Sequence, residues 1–166
     1  MTTQLSIINL TADEGRTVLV GADLITFKIT DHQTGGRYAI LDVITPPLSG
    51  PPDLHTHPPQ ETLYILEGEY EIYGLRMDGL YTIKATAGSV VHIPGGVPHN
   101  YKNVSDTPGR ALLVFSPAGM EQFFAELGLP VPDKANPPVL AGPPDMDRFI
   151  AICHKYQVEV VAIVGS

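Results

Sequence analysis

Short apolar stretches separated by glycine, proline and polar residues dominate the first two thirds of the sequence. Stretches rich in β-branched and aromatic residues, spaced a few positions apart, are typical of β-strands. They lie at Val18–Val20, Leu24–Thr30, Tyr38–Thr45, Tyr81–Thr86, Ser89–Ile93, His99–Lys102 and Arg110–Phe115. Because no helical periodicity interrupts them, the pattern predicts an all-β sandwich or barrel of antiparallel strands.

The segment from Glu61 to Gly74 alternates apolar and polar residues on both sides of Glu67-Gly68. With those two residues as a tight turn, the alternation predicts a hairpin in which Ile65 pairs with Tyr70 and Glu61 with Gly74. Glu61, Leu63, Ile65, Tyr70 and Ile72 would then share the interior face, and Tyr64, Leu66, Glu69 and Glu71 the outer one. A shift of one residue would bury two glutamates, which is costly for unpaired charges.

Polar residues 31–36 separate two of these strands and predict a hairpin loop, which makes His32 a solvated residue. His92 lies on the strand before the Pro94-Gly95-Gly96 turn. Because the turn interrupts the alternation of side chains between the two faces, the sequence does not place His92 on the same face as His99. A structural role for His92 is therefore preferred over a role in a pocket.

The pattern changes to helical spacing after the last of these strands. Met120, Phe123, Phe124 and Leu127 predict one amphipathic helix, and Met146, Phe149, Ile150 and Cys153 predict a second. Six prolines in the sixteen residues 129–144 predict an extended connector between them. We expect both helices to pack on the outside of the barrel, and residues 158–164 to add an edge strand.

The length of 166 residues is enough for one sizeable core and short for two. We therefore expect a single domain over 1–166, with a barrel core at about 16–117 and a helical extension at about 118–166. No apolar run approaches the ~20 residues that span a bilayer, and residues 1–4 lack the positive start of a secretory signal. These features favour a cytoplasmic protein.

The formal net charge of −8, without a basic cluster, opposes binding to nucleic acid or to an anionic membrane. A small molecule is the expected partner. The single cysteine, Cys153, excludes an internal disulfide and a thiolate-rich metal site. Its apolar helical surroundings indicate a packed thiol and not a nucleophile.

The stretch LHTHPPQETLYILEG, residues 54–68, carries the chemistry. In an extended strand, His55 and His57 point to the same side. The Pro58-Pro59 pair turns the chain, so we expect Glu61 to return on a neighbouring strand with its carboxylate directed at the two imidazoles. Two nitrogen donors and one anionic oxygen suit a divalent transition metal better than calcium or magnesium. Two ordinary surface histidines are the alternative.

A second pattern, Gly88-x5-Pro94-x-Gly96-x2-His99-x3-Asn103, supplies a fourth donor, His99. Together the two patterns resemble the signature motifs of the cupin superfamily. The first motif, Gly-x5-His-x-His-x3-Glu-x6-Gly, is met except at its leading glycine, because four residues separate Gly50 from His55. The resemblance implies a jelly-roll barrel, with His55, His57, Glu61 and His99 holding one divalent metal per chain: iron, nickel, manganese, copper or zinc.

Within that superfamily, the sequence looks most like small bacterial proteins related to quercetinase, a flavonol dioxygenase. The resemblance implies a dioxygenase for an aromatic or enolisable hydroxy-ketone, with Glu61 as both ligand and base. Leu63, Ile65, Tyr70 and Tyr101 would line the substrate pocket. Because proteins of this superfamily commonly dimerise, the resemblance also implies a homodimer. Two alternatives stay open: a redox-neutral isomerase, epimerase or decarboxylase of a sugar or keto acid, and a binding or sensor module without turnover.

Overall fold

The computed structural model describes residues 6–161, so the sequence prediction about residues 1–4 lies outside the described part. Twelve strands and three helices form within that range. The strands are β1 (Thr17–Val20), β2 (Asp23–Ile29), β3 (Ala39–Thr45), β4 (Leu54–Thr56), β5 (Gln60–Glu67), β6 (Glu69–Arg76), β7 (Gly79–Thr86), β8 (Val90–Ile93), β9 (His99–Asn103), β10 (Gly109–Ser116), β11 (Leu129–Pro130) and β12 (Glu159–Val161). The helices are α1 (Asp31–Thr34), α2 (Met120–Leu127) and α3 (Met146–Lys155).

Two antiparallel sheets face each other. The first has the order β11-β1-β2-β3-β10-β5-β8, and the second has the order β12-β4-β9-β6-β7. Their inner faces enclose one apolar core, in which Leu41, Ile65 and Phe115 are at most 1% exposed. The all-β jelly-roll barrel predicted from the sequence is therefore confirmed.

The predicted faces of the 61–74 segment are correct, but the predicted hairpin is wrong. Leu63, Ile65, Tyr70 and Ile72 are buried, while Glu69 is exposed. However, β5 pairs with β10 and β8, and β6 pairs with β7 and β9, so the two strands lie in opposite sheets. The chain crosses between the sheets at Gly68, whose φ of 89° few other residues would adopt.

The predicted loop at residues 31–36 contains a short helix, α1. Thr30 and Gln33 form a capping box at its start, and Gly35 ends it in the left-handed conformation. The sequence prediction missed this turn because four residues are too few for a periodic apolar face. His32 is exposed, as expected.

Helices α2 and α3 form at the predicted positions and pack on the barrel. Helix α2 contacts β1, β3 and α3. Phe124 lies beside Phe115 of the barrel, and Phe123 lies beside Tyr156, with ring centroids 6.1 and 5.9 Å apart. These aromatic contacts join the helices to the barrel core.

The buried face of α3 differs from the predicted one. Its buried residues are Ile152 and Cys153, whereas Met146 and Ile150 are more than half exposed. The predicted apolar face and the observed one overlap on the helix surface, so the spacing of apolar residues alone could not tell which of the two is buried. Asp145 caps the helix by accepting a hydrogen bond from the Arg148 backbone N–H at 3.0 Å.

Two short strands from the last third of the chain complete the sheets. β11 lies in the proline-rich connector and pairs with β1, and β12 pairs with β4. The predicted edge strand thus forms over Glu159–Val161, and residues 162–164 lie outside the described part. Among residues 6–161, no helix has both the length and the apolar character needed to cross a bilayer.

Candidate metal centre and the cleft that reaches it

The four predicted metal-binding residues meet inside the barrel, although they come from both sheets. His55 on β4 pairs directly with His99 on β9 in the second sheet. His57 follows β4, and Glu61 lies near the start of β5 in the first sheet. The prediction that Glu61 lies on a neighbouring strand is therefore wrong, because the carboxylate faces the imidazoles across the barrel interior. The predicted convergence nevertheless forms.

The three imidazoles are close enough to share one ion. Each offers a ring nitrogen, and these nitrogens lie within 4.8 Å of one another. The ring centroids of His55 and His57 are 5.8 Å apart, and both are within 5 Å of the His99 centroid. His57, Glu61 and His99 are each 3% exposed, whereas His55 is half-buried. The site is thus nearly closed, with its more open side at His55.

Backbone carbonyls orient all three rings. The Nδ1 atom of His57 lies 2.9 Å from the Pro59 carbonyl oxygen, and that of His99 lies 2.8 Å from the Val97 oxygen. His55 has a longer contact of 3.5 Å to the Asp53 oxygen. A carbonyl oxygen only accepts, so each Nδ1 carries the hydrogen, and in the neutral ring Nε2 keeps its lone pair. Metal-binding histidines typically show this arrangement.

The Glu61 carboxylate bridges two of these rings. Its Oε2 lies 3.1 Å from the Nε2 atoms of both His57 and His99. Burial raises the pKa of Glu61, but the hydrogen bonds from the two imidazoles outweigh burial and lower the pKa to about 2. The same partnership raises the pKa of His99 against the opposing effect of its burial.

His55 behaves differently, because among the described residues no carboxylate lies within 4.0 Å of its ring nitrogens. Burial, together with the charge of His99, lowers the pKa of His55 to about 4. The barrel interior thus brings together, in a space with little water, a neutral His55, a carboxylate and two further imidazole nitrogens. Four such donors fit a divalent cation, which would offset the buried negative charge of the carboxylate.

A glycine-rich turn supports the centre from behind. A Cβ atom on Gly95 would lie 2.1 Å from the Pro58 carbonyl oxygen, so only glycine allows this approach. The neighbouring Gly96 N–H donates to the His57 carbonyl oxygen at 2.9 Å. These contacts hold the chain between His57 and Glu61 against the turn that leads to His99, which explains why the spacing of the second motif matters.

Asn103, the last residue of the second motif, has a structural role. It is fully buried, and its Nδ2 donates to the carbonyl oxygens of Thr45, Pro46 and Thr107. Its Oδ1 accepts from the Ser105 backbone N–H at 3.0 Å. Asn103 therefore joins the ends of three chain segments and anchors β9, the strand that carries His99.

A small cleft reaches His99 between β7 and β8, the terminal strands of the two sheets. Its volume is about 40 Å³. It is lined by Ile72, Tyr73, Gly74, Tyr81, Ile83, Val91, His92, Ile93, Pro94, Val97 and His99. A larger depression of about 670 Å³, beside Gly68 and Thr107, contains none of the imidazoles. Despite its size, we assign it no part in the chemistry, because it contains none of the four donors, whereas the smaller cleft reaches His99.

The predicted pocket residues lie deeper than a substrate pocket requires. Leu63, Ile65 and Tyr70 are at most 2% exposed and belong to the closed core. Tyr101 is half-buried and shares its face with His99, but its hydroxyl donates to Asp23 Oδ2 at 2.5 Å. Contact between these four residues and a substrate stays a prediction.

Asp23 is part of a second polar cluster that the sequence did not reveal. The Asp23 carboxyl is 6% exposed, and its Oδ1 has no hydrogen-bonding partner among the described residues. The hydroxyls of Thr45 and Tyr70 are also buried without a partner there. Burial raises the pKa of Asp23 to about 6, although the nearby hydroxyls of Tyr101 and Thr45 act in the opposite direction. No sequence signal distinguishes this aspartate, since a lone acidic residue at a strand start is usually solvated.

Two further side chains could take part in chemistry. His92 is exposed and lines the cleft, and its Nδ1 lies 2.9 Å from the Thr62 hydroxyl. A structural role for His92 stays a prediction. Cys153 is buried, and burial raises the pKa of its thiol. A packed thiol was expected at this position.

Comparisons with known proteins agree with the fold. Residues 43–115 match the family profile described as a cupin domain, a range that includes all four converging residues. A comparison with curated proteins found no match. The narrower resemblance to quercetinase stays a prediction.

Solved structures of oxalate decarboxylase share the architecture. The Bacillus subtilis enzyme at pH 4.6 is 18% identical, with a TM-score of 0.57 over 68% of this chain and 30% of that one. A structure from work on the Mn(II) centres of the same enzyme is 17% identical, with a TM-score of 0.55 over 67% and 31%. The chain thus spans about a third of the length of these relatives, and at such identity the likeness shows the fold alone.

Proposed function

We propose that this cupin-fold chain is a metal-dependent enzyme that acts on a small molecule. One divalent transition metal would be held by Nε2 of His55, His57 and His99 and by the Glu61 carboxylate. The observation that carries this proposal is the convergence of four donors, three of them buried and His55 half-buried, with each Nδ1 directed at a carbonyl oxygen. The nitrogen-rich donor set favours iron, nickel, manganese, copper or zinc over calcium and magnesium.

Such an ion supplies Lewis-acid chemistry, and a redox-active one also supplies chemistry with dioxygen. The Mn(II) centres of the structurally similar oxalate decarboxylase support manganese as one candidate.

Glu61 is the residue that would move a proton. Its Oε2 is a weak base while His57 and His99 donate to it, because those bonds lower its pKa. With both Nε2 atoms bound to an ion, the carboxylate would no longer receive these hydrogen bonds, and the oxygen that does not bind the ion would accept a proton from a substrate hydroxyl. The Glu61 side chain is buried on the inner face of β5, so bulk water has little access to this oxygen.

We favour a quercetinase-like dioxygenase, which adds both atoms of dioxygen to an aromatic or enolisable hydroxy-ketone. The apolar lining of the cleft by Ile83, Ile93 and Val97, with Tyr81 at its side, supports contact with an apolar group of such a substrate. A redox-neutral decarboxylase is the second candidate, because oxalate decarboxylases share the fold. Dioxygen consumption separates the two candidates.

The test combines metal analysis with turnover. Protein loaded separately with iron, nickel, manganese or copper is assayed for oxygen uptake with flavonols and β-diketones, and for product formation from oxalate and keto acids under anaerobic conditions. Oxygen uptake supports the dioxygenase, and anaerobic conversion supports the decarboxylase. Full metal occupancy without conversion of any compound counts against an enzyme and favours a binding module.

Glu61→Gln tests the proton-transfer role within the same experiment. Glutamine keeps an oxygen donor but has almost no basicity, so saturating metal should not restore turnover, and the rate should fall by about 10²–10⁴-fold. Glu69→Gln, on the outer face of β6, is the matched control. Near-normal turnover of fully metallated Glu61→Gln protein would eliminate the base role.

A further inference from the structure

A glycine in the middle of β6 makes room for a tyrosine beside the metal centre. Gly74 has no left-handed backbone conformation that would require glycine. Instead, a Cβ atom at this position would lie 2.4 Å from Cζ and 2.5 Å from the hydroxyl oxygen of Tyr81. Glycine inside a strand often marks such a close approach. The Tyr81 side chain therefore lies across β6 with its hydroxyl over Gly74.

The pairing of the strands places that hydroxyl next to the imidazoles. In the second sheet, His55 pairs with His99, His99 with Gly74, and Gly74 with Tyr81. Paired residues share one face of a sheet, and adjacent strands are about 4.8 Å apart. Because Tyr81 reaches back over Gly74, its hydroxyl lies about one strand spacing away from His99. Both residues line the cleft.

Arg76 holds the tyrosine ring from the other side. Its guanidinium carbon is 3.9 Å from the centroid of the Tyr81 ring, well within the range of a cation–π contact. Arg76 is two residues beyond Gly74 on β6 and therefore faces the same side of the sheet. The Tyr81 ring is thus fixed between Gly74 and the guanidinium, in a position that needs little reorganisation when a ligand binds.

Both polar groups remain available to a ligand. Within residues 6–161, the Tyr81 hydroxyl makes no hydrogen bond, and no carboxylate lies within 4.0 Å of the Arg76 guanidinium. The arginine side chain is exposed and lies over the ring of Tyr81, which lines the cleft. A hydroxyl donor and an uncompensated positive charge beside a cation site select a negatively charged oxygen.

We propose that Tyr81 and Arg76 form the substrate-anchoring side of the centre and recognise an anionic oxygen, a carboxylate or an enolate, on a small aromatic molecule that also reaches the ion. This inference rests on the proposed function and narrows its substrate class. The Tyr81 hydroxyl donates to the anionic oxygen, and Arg76 positions the ring and adds positive potential at the cleft entrance.

The experiment uses zinc-loaded protein, because zinc has no redox chemistry and the ligand is not consumed. Zinc affinity is measured first by calorimetric titration. Salicylate, which carries a carboxylate, and salicylamide, its neutral analogue, are then titrated into the zinc-loaded chain. We expect salicylate to bind more tightly than salicylamide.

Two variants separate the roles of the residues. Tyr81→Phe should weaken salicylate binding by about 10- to 100-fold, the range expected for a hydrogen bond to a charged group. Arg76→Gln should weaken salicylate binding but leave salicylamide unchanged, and Arg76→Lys should recover part of the loss. Tyr64→Phe and Arg37→Gln, on exposed residues, are the matched controls.

The outcomes distinguish this inference from the function on which it rests. Failure of the wild-type chain to bind zinc rejects the metal centre and, with it, both proposals. Normal zinc binding with unchanged salicylate affinity in Tyr81→Phe and Arg76→Gln overturns the anchoring role alone. Zinc-loaded wild-type protein that binds no salicylate at millimolar concentration also overturns it.

Discussion

The buried carboxyl of Asp23 should make the protein less stable as the pH rises towards neutrality. Burial raises the pKa of Asp23 to about 6 in the folded chain, whereas its ordinary value is 3.8. Between these values the folded state holds a proton that the unfolded state has lost. The stability that this proton confers is fully present below pH ~3.8 and is lost as the pH rises through ~6.

The difference of about two pKa units corresponds to about 3 kcal/mol over the whole range. Only part of this free energy, about 1.4 kcal/mol, is lost between pH 5 and pH 7.5, the range in which unfolding can be measured. Asp23→Asn removes the titration but keeps an oxygen that can accept the Tyr101 hydroxyl hydrogen. The asparagine N–H₂ can also donate towards the hydroxyl of Thr45, which has no partner in the described chain.

The assay is urea unfolding of the wild-type and Asp23→Asn proteins, without metal, at pH 5 and pH 7.5. Relative to the variant, the wild type should lose about 1.4 kcal/mol of unfolding free energy between the two conditions. Titration of Glu61 and the histidines affects both proteins alike and cancels. Asp13→Asn, at an exposed position, should behave as wild type. Identical pH dependence in wild type and Asp23→Asn would show that Asp23 holds no proton, and that the polar cluster is hydrated.

Two further substitutions test the centre and the fold separately. His99→Ala should lower the affinity for zinc, measured by calorimetry, by more than the roughly 10–100-fold that is lost when a group that only orients a ligand is removed. His92→Ala, on an exposed histidine, should leave the zinc affinity unchanged. Equal zinc affinities of the wild type and His99→Ala would remove His99 from the ligand set. Asn103→Ala should lower the unfolding free energy by about 1–3 kcal/mol, because three backbone carbonyl oxygens, including that of the fully buried Thr45, lose their donor. Urea unfolding measures this loss, with the exposed Asn136→Ala as the control, and a change below about 1 kcal/mol would contradict the anchoring role.

The sequence predicted which way side chains face better than it predicted which strands pair. Alternation is a local property of an extended chain, so the burial of Leu63, Ile65 and Tyr70 followed from the sequence of one segment. Pairing depends on distant segments. β5 pairs with β10, whose residues are nearly fifty positions away, and no local pattern names that partner.

The centre could be predicted from the sequence because its residues are close together in the chain or belong to a motif with fixed spacing. His55, His57 and Glu61 lie within seven positions, and the glycines and proline before His99 mark a defined turn. Tyr81 could not be read in this way. The available signal was Gly74, a glycine inside an apolar strand pattern, whose meaning depends on knowing that β7 is the neighbour of β6.

The crossing at Gly68 explains both the failed hairpin and the form of the centre. A hairpin would have paired Glu61 with Gly74 and placed the carboxylate in the same sheet as the imidazoles. Because the chain instead crosses to the other sheet, Glu61 approaches His57 and His99 from across the interior, and the donors can surround a point instead of lying in one plane. The crossing also leaves Gly74 between His99 and Tyr81. The carboxylate and the proposed anchoring tyrosine therefore approach His99 from different sides, and the cleft between β7 and β8 lies beside the tyrosine.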